Sequence, residues 1–258
     1  MNILLSGLTG HMGREVVRLA ESGYRGSSVT LGVDINAAES REIPCAPSFD
    51  ALDAVDGEEY ADMVAGIDCI VDFSHHTATP SLLRFAQKHT LPVVLSTTGH
   101  TDGEKELIKH AAEVIPVFNS ANMSLGVALL VELAKKAACA MPDAEIEIIE
   151  VHHDRKLDAP SGTALMLADA IREVRTASYN NCGRRGNGRR EANEIGISSV
   201  RIGNVVGEHE VLIGTQNETI TLRHEAHSRA LFAEGALAAA EFICGKAPGM
   251  YNMNDMVV

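Results

Sequence analysis

At 258 residues, 45% of them hydrophobic and 22% charged, the chain has the composition of a soluble globular protein with room for one large or two modest domains. Its formal net charge of −13 argues against a nucleic-acid partner, and no apolar run is long enough for a bilayer span. Five scattered cysteines without C-x-x-C spacing read as reduced thiols, and the first residues enter an apolar strand with no basic leader, so a cytoplasmic protein is expected.

Asn2 to Ser6 reads as a buried strand, Gly7-Leu-Thr-Gly-His-Met-Gly13 as a turn, and Arg14 to Glu21 as a helix with apolar residues at helical spacing. Strand, glycine turn and helix are the context a dinucleotide fingerprint requires, although the spacing is G-x-x-G-x-x-G rather than G-x-G-x-x-G. A second strand, Val29 to Val33, ends at Asp34, about twenty residues past the last glycine, where a ribose-binding acid is expected. The alternation continues with strands at 68–72, 91–96 and 114–118 and helices at 77–88 and 102–113. This rhythm predicts a Rossmann-like α/β fold, a parallel sheet with helices on both faces. Ligands of such sheets lie beyond the carboxyl ends of the strands, where Ser96, Thr97, Thr98 and Ser120, Ala121, Asn122, Met123 fall.

After an apolar helix at 124–140 the rhythm changes to strands at 145–151, 195–201, 205–213 and 218–225, which predicts a second, α+β domain built on an open mixed sheet. A last helix, 228–244, is expected to return to the first domain, and Pro248-Gly249 to introduce a polar tail. The loop Gly183-Arg-Arg-Gly-Asn-Gly-Arg-Arg190 reads as solvated or intersubunit rather than as a nucleic-acid patch.

The segment from Glu150 to Ala164, Glu-Val-His-His-Asp-Arg-Lys-Leu-Asp-Ala-Pro-Ser-Gly-Thr-Ala, concentrates the chemistry. Ser161 is a natural N-cap, so the amides of Gly162 and Thr163 face whatever stands before the helix and form an anion site. His152 can exchange a proton near neutral pH, and Lys156 brings a positive charge. Adjacent strand residues point to opposite faces, so one of His152 and His153 is expected to do chemistry and the other to bind. The same geometry, with no ligand of zinc spacing following, speaks against a metal centre.

The segment resembles, position for position, the signature of the 4-hydroxy-tetrahydrodipicolinate (dihydrodipicolinate) reductases of the diaminopimelate/lysine pathway. Ser96-Thr-Thr-Gly99, Ala121-Asn-Met-Ser-Leu-Gly126, Arg201 to His209 and His227 to Gly235 resemble further blocks of that family. The resemblance implies His152 as proton donor and acceptor, Lys156 as a second proton donor, and His153, Gly162 and Thr163 as ligands of a dicarboxylate substrate. It implies a cofactor site made by Gly7, Leu8, Thr9, Gly10, His11, Met12 and Asp34 with the two polar strand ends. Residues 1–121 with 229–258 would form the dinucleotide-binding domain and 122–228 the substrate-binding and oligomerisation domain of a homotetramer. With the two ligands on different domains, closure between the domains is expected during turnover.

Three positions depart from the family pattern: Ser96 for a glycine, Met123 for a phenylalanine, and His11 where many members carry an arginine. Since Ile35 and Asn36 after Asp34 also lack a cation for a 2′-phosphate, NADH is expected as the preferred cofactor, with NADPH also used. Hydride addition to a conjugated C=C–C=N system builds negative charge, which His152 or Lys156 can quench with a proton. Two other classes fit the sequence less well: a semialdehyde-type dehydrogenase, which needs a nucleophilic cysteine in a strand-to-helix turn that this chain lacks, and a non-catalytic nucleotide sensor, which has no use for His152 and Lys156.

Overall fold

The computed structural model describes residues 1–54 and 58–257. The chain enters through β1 (Asn2–Ser6), buried from Ile3 onward, and turns at Gly7 into α1 (His11–Glu21). The helix thus begins three residues earlier than its apolar pattern indicated, and Gly13 lies inside it rather than in the turn. The reason is steric: a Cβ on Gly13 would stand 2.1 Å from the carbonyl oxygen of Gly7, so only glycine lets the first helical turn close on the strand end. β2 (Ser28–Val33) follows and pairs in parallel with β1.

Between Asp34 and Asp68, where the sequence pattern indicated no element, the chain forms a two-residue β3 (Cys45–Ala46) and the short helices α2 (Phe49–Leu52) and α3 (Glu58–Ala65). Pieces of this length carry too few residues to display a period. The expected alternation then resumes with β4 (Cys69–Asp72), α4 (Thr79–His89), β5 (Val93–Leu95), α5 (Asp102–Ala112) and β6 (Pro116–Asn119). Thr101 caps α5 in a complete capping box with Glu104.

Next come α6 (Leu125–Ala140), β7 (Glu145–His152), α7 (Gly162–Val174), β8 (Tyr179–Cys182), β9 (Glu194–Arg201), β10 (Gly207–Gly214) and β11 (Thr219–Ala226), and then α8 (Ala230–Ile243) and β12 (Gly249–Tyr251). The residues after Pro248 are therefore not simply a polar tail: β12 pairs in parallel with β6 as the edge of the first sheet.

Two compact units result, Met1–Ser124 with Ala230–Met256, and Leu125–Arg229. The first holds a seven-stranded parallel sheet in the order β12-β6-β5-β4-β1-β2-β3. Its strands are apolar on both sides because both faces are covered. Leu4, Ile70, Val93 and Val117 pack with Phe49, Leu82, Phe85 and Ile108 of α2, α4 and α5, each such side chain contributing about 1.5–3 kcal/mol. Opposite, α8 lies along β4 to β6 and against α1, with Phe118 and Phe242 edge to face at 6.2 Å. The strand order reverses between β1 and β4, which places a ligand crevice at their carboxyl ends.

The second unit is a five-stranded mixed sheet, β11-β10-β7-β9-β8, antiparallel on one side of β7 and parallel on the other. Ile146 and Ile148 of β7 and Val211 and Ile213 of β10 pack under α6 and α7. Two arginines of the basic loop are held by this same sheet: Arg184 and Arg190 pair with Glu147 and Glu194, and Gly196 leaves Glu147 room to lie across β9. Arg185 and Arg189 are exposed, as expected of a solvated loop. Among the described residues, no helix is long and apolar enough to cross a membrane.

Candidate active site

The first unit carries a cavity of about 630 Å³ at the carboxyl ends of β1, β2 and β4. Gly7 forms its floor with φ at +82°, and a Cβ there would stand 2.7 Å from the carbonyl oxygen of Phe73. Gly10 is the N-cap of α1 without a side-chain cap, so the helix presents backbone rather than side chain to the cavity. Asp34 accepts hydrogen bonds from the Thr9 and Asn36 amides at 2.9 Å, one on each carboxylate oxygen. Each oxygen keeps a second lone pair for a hydroxyl donor. These features fit a dinucleotide: a backbone cradle that a Cβ would fill, beside a fixed carboxylate.

Of the residues singled out for the cofactor, Gly7, Thr9, Gly10 and Asp34 line this cavity. Leu8 is buried and fills the space above Gly32, which leaves only its backbone for a ligand. His11 is exposed and Met12 half-buried on the first turn of α1. Thr97 uses its hydroxyl on the buried Asp72, donating to it at 2.7 Å, whereas Thr98 is exposed. Ser96 Oγ is buried without a hydrogen-bond partner among the described residues. The Ser120 hydroxyl donates to the Asn122 carbonyl at 2.8 Å, and Ala121 is exposed. Met123 is buried, and its carbonyl occupies the space a side chain on Gly235 would need. Phe73, Ser74, His75 and Thr77, at the end of β4 and the approach to α4, also line the cavity. The sequence gives them no ligand role because their only signal is position after a strand.

The second constellation lies at the end of β7. Residues 146, 148, 150 and 152 alternate toward α6 and α7, so the apolar stripe ends in two buried polar side chains, Glu150 and His152. Oε2 of Glu150 lies 2.5 Å from His152 Nδ1. Arg201, opposite His152 in the parallel pairing of β7 and β9, forks onto both Glu150 oxygens at 2.8 and 2.9 Å. The Ser161 amide donates to Oε1 at 3.1 Å, so one carboxylate ties the histidine to the start of α7. Burial disfavours this charge, but hydrogen bonds from Arg201, Ser199, His152 and Ser161 hold the carboxyl at about 2.

Burial lowers the pKa of His152, and Lys156 and Arg201 add to that, while Glu150 opposes it. The ring of His209 on β10 packs T-shaped against that of His152 at 5.1 Å between centroids, and His209 is pushed down to about 4, first by burial and then by His152. Ser161 caps α7 by accepting the Ala164 amide at 3.2 Å, and its hydroxyl lies 3.1 Å from His209 Nε2. Lys156 Nζ pairs with Asp158 at 2.9 Å. His153, just beyond the strand, receives Arg229 on Nε2 at 3.4 Å, which leaves Nδ1 as the protonated nitrogen, buried and without a partner. Gly162 and Thr163 open α7, and a Cβ on Gly162 would meet nothing within 4 Å. His152, His153, Lys156, Gly162 and Thr163 thus fall on one strand end, the following loop and one helix start. Glu150, Arg201 and His209 were given no role from the sequence, although Glu150 stands two residues before His152 on the same face.

Comparison with known proteins places both constellations in one context. Residues 1–123 match the family model "Dihydrodipicolinate reductase, N-terminus", and residues 126–257 match "Dihydrodipicolinate reductase, C-terminus". A 4-hydroxy-tetrahydrodipicolinate reductase of Caldanaerobacter subterraneus is 41% identical over 100% of this chain and 98% of its own length. Its counterpart from Clostridium novyi is 39% identical over 99% and 97%. The fold superposes on a dipicolinate-bound dihydrodipicolinate reductase from Paenisporosarcina with a TM-score of 0.81 at 23% identity, covering 100% of this chain and 99% of that one.

Proposed function

Because the chain belongs to the dihydrodipicolinate reductase family, and so carries out the NAD(P)H-dependent reduction of 4-hydroxy-tetrahydrodipicolinate to tetrahydrodipicolinate in diaminopimelate and lysine biosynthesis, we propose the following division of work among its residues. The turn Gly7 to Met12, Asp34 and the strand ends Ser96 to Thr98 and Ser120 to Met123 hold the cofactor, which when bound supplies the hydride. His153, Gly162 and Thr163 hold a substrate carboxylate. The unpartnered Nδ1–H of His153 and the positive end of α7 supply donors of the right sign. His152 delivers the proton from Nε2, and Lys156 offsets charge on the substrate as it develops. The observation that carries this reading is the buried His152, whose Nδ1 is taken by an ionised carboxylate while a helix start stands on the same carboxylate.

NADH is the preferred cofactor in this proposal, with NADPH also accepted. The cavity wall beside Asp34 is Ile35, Asn36, Pro47 and Ser48, with no cation. Arg14 and Arg41 line a neighbouring cavity of about 310 Å³, which meets the first at Thr9, in the company of Glu21, Glu39 and Glu42. A carboxylate at Asp34 without a facing arginine disfavours a 2′-phosphate. The working protein in this reading is a cytoplasmic homotetramer built through the second unit.

The test is absorbance at 340 nm with purified protein, the aldol product of pyruvate and aspartate semialdehyde, and either NADH or NADPH. The expected result is oxidation of both, with kcat/KM higher for NADH. No oxidation would refute the reductase activity, and a tenfold preference for NADPH would refute the cofactor assignment.

A further inference from the structure

We propose that Glu150 is the positioning residue of proton transfer: its buried carboxylate, clamped by Arg201 and the Ser161 amide, takes the Nδ1 proton of His152 and dedicates Nε2 to the substrate. The proposal rests on the reading of His152 as the proton donor.

Glu150 and His152 are two residues apart on β7 and project to the same side of the sheet. Donors converge on both oxygens of Glu150: His152 Nδ1 and Arg201 on Oε2, Arg201 and the Ser161 amide on Oε1, with the Ser199 side chain as a further donor. A carboxylate so satisfied stays ionised, and an ionised carboxylate only accepts. The imidazole nitrogen facing it therefore keeps its hydrogen whether the ring is neutral or charged. The exchangeable proton is on Nε2 in every state that matters for transfer. Gly207 of β10 lies against that nitrogen, where a Cβ would stand 3.0 Å from Nε2, so the absence of a side chain keeps the approach uncrowded.

The surroundings leave this task to Glu150. Lys156 from the following loop and Arg201 from β9 both disfavour a charged His152. From β10, the ring of His209 packs T-shaped against that of His152, and its low proton affinity keeps it neutral at physiological pH. From α7 the contact with the carboxylate is the Ser161 amide, which is uncharged. Glu150 is the group in contact with the ring that favours the imidazolium. A purely architectural ion pair between Glu150 and Arg201 would need neither the Nδ1 contact nor any influence on proton affinity.

The experiment uses full-length protein with 15N-labelled histidine, with His152→Gln identifying the His152 signals. Neutral His152 is expected to be protonated on Nδ1. Glu150→Gln removes the charge that favours the imidazolium, so the alkaline limb of substrate kcat/KM is expected to move to lower pH by about one unit or more. NADH affinity should stay at the wild-type value, and Glu150→Asp should restore part of the limb. If Glu150→Gln does not fold, the wild-type tautomer decides: neutral His152 protonated on Nε2 overturns the proposal. A limb lost in His152→Gln but unmoved in Glu150→Gln overturns this proposal alone. A limb retained in His152→Gln overturns the reading of His152 beneath it, and this proposal with it.

Discussion

The glycine turn after β1 and the histidine end of β7 both occupy the place where a strand gives way to a helix, yet they are made of different material. The turn is built from absence: Gly7 and Gly10 bring backbone to a cavity, Gly13 lets the helix close on the strand end, and none contributes a side chain. The end of β7 is built from presence: a carboxylate, an arginine and two histidines are buried together and satisfy one another. A backbone cradle suits a large cofactor, which it can hold without reacting with it. A buried charge network sets the protonation of one nitrogen. In the proposed division of work, the same strand-to-helix geometry serves binding in one unit and acid/base chemistry in the other.

The contrast breaks most visibly at His152. His152→Gln is expected to lower kcat by roughly 10²- to 10⁴-fold with NADH affinity close to wild type, as measured by steady-state kinetics and cofactor titration. A variant with most of its kcat would place the proton donor elsewhere.

Gly13→Ala is the converse test. Its new methyl meets the Gly7 carbonyl oxygen at 2.1 Å, so the turn must shift, at a stability cost of about 1–3 kcal/mol. NADH affinity is expected to fall at least tenfold, a loss readable by titration. Gly162→Ala, with open space around its Cβ, should leave the melting temperature near wild type. Equal melting temperatures for the two variants would contradict the steric account of the turn.

Lys156→Ala should have a smaller and mixed effect, kcat falling and KM rising by roughly tenfold each, because one cation serves both ground-state carboxylate and developing charge. Unchanged kinetics would reduce Lys156 to the surface partner of Asp158.

The smallest effect concerns stability and pH. His209 has a folded-state pKa of about 4, below its ordinary 6.5, so the unfolded chain binds the proton more readily. Its contribution is complete above 6.5 and is lost as pH falls through about 4. Melting temperatures across that window should decline less steeply in His209→Gln than in wild type. Parallel declines would mean that other groups account for the slope.

The legibility of the two regions follows from the same contrast. The turn, Asp34 and the alternating strands could be read because their signals are local, carried by residues a few positions or about twenty residues apart. The His152, Lys156 and Ser161 segment was legible for the same reason, though Glu150 beside it carried no sign of its role. Arg201 was not, since its place opposite His152 depends on the register of two parallel strands far apart in the chain. β12 was hidden because three residues show no period, and its pairing with β6 requires the whole second unit to intervene. His209 reads in the sequence as one more alternating strand position, and only the packing of β10 beside β7 turns it toward His152.

The most direct test of the division between the two units is the inhibition pattern of pyridine-2,6-dicarboxylate, a planar dicarboxylate. With cofactor held by the glycine turn and substrate by the His153–Gly162–Thr163 side, inhibition should be competitive against substrate and not against NADH. Inhibition competitive with NADH would put the dicarboxylate in the cofactor cavity and contradict the assignment of the two sites.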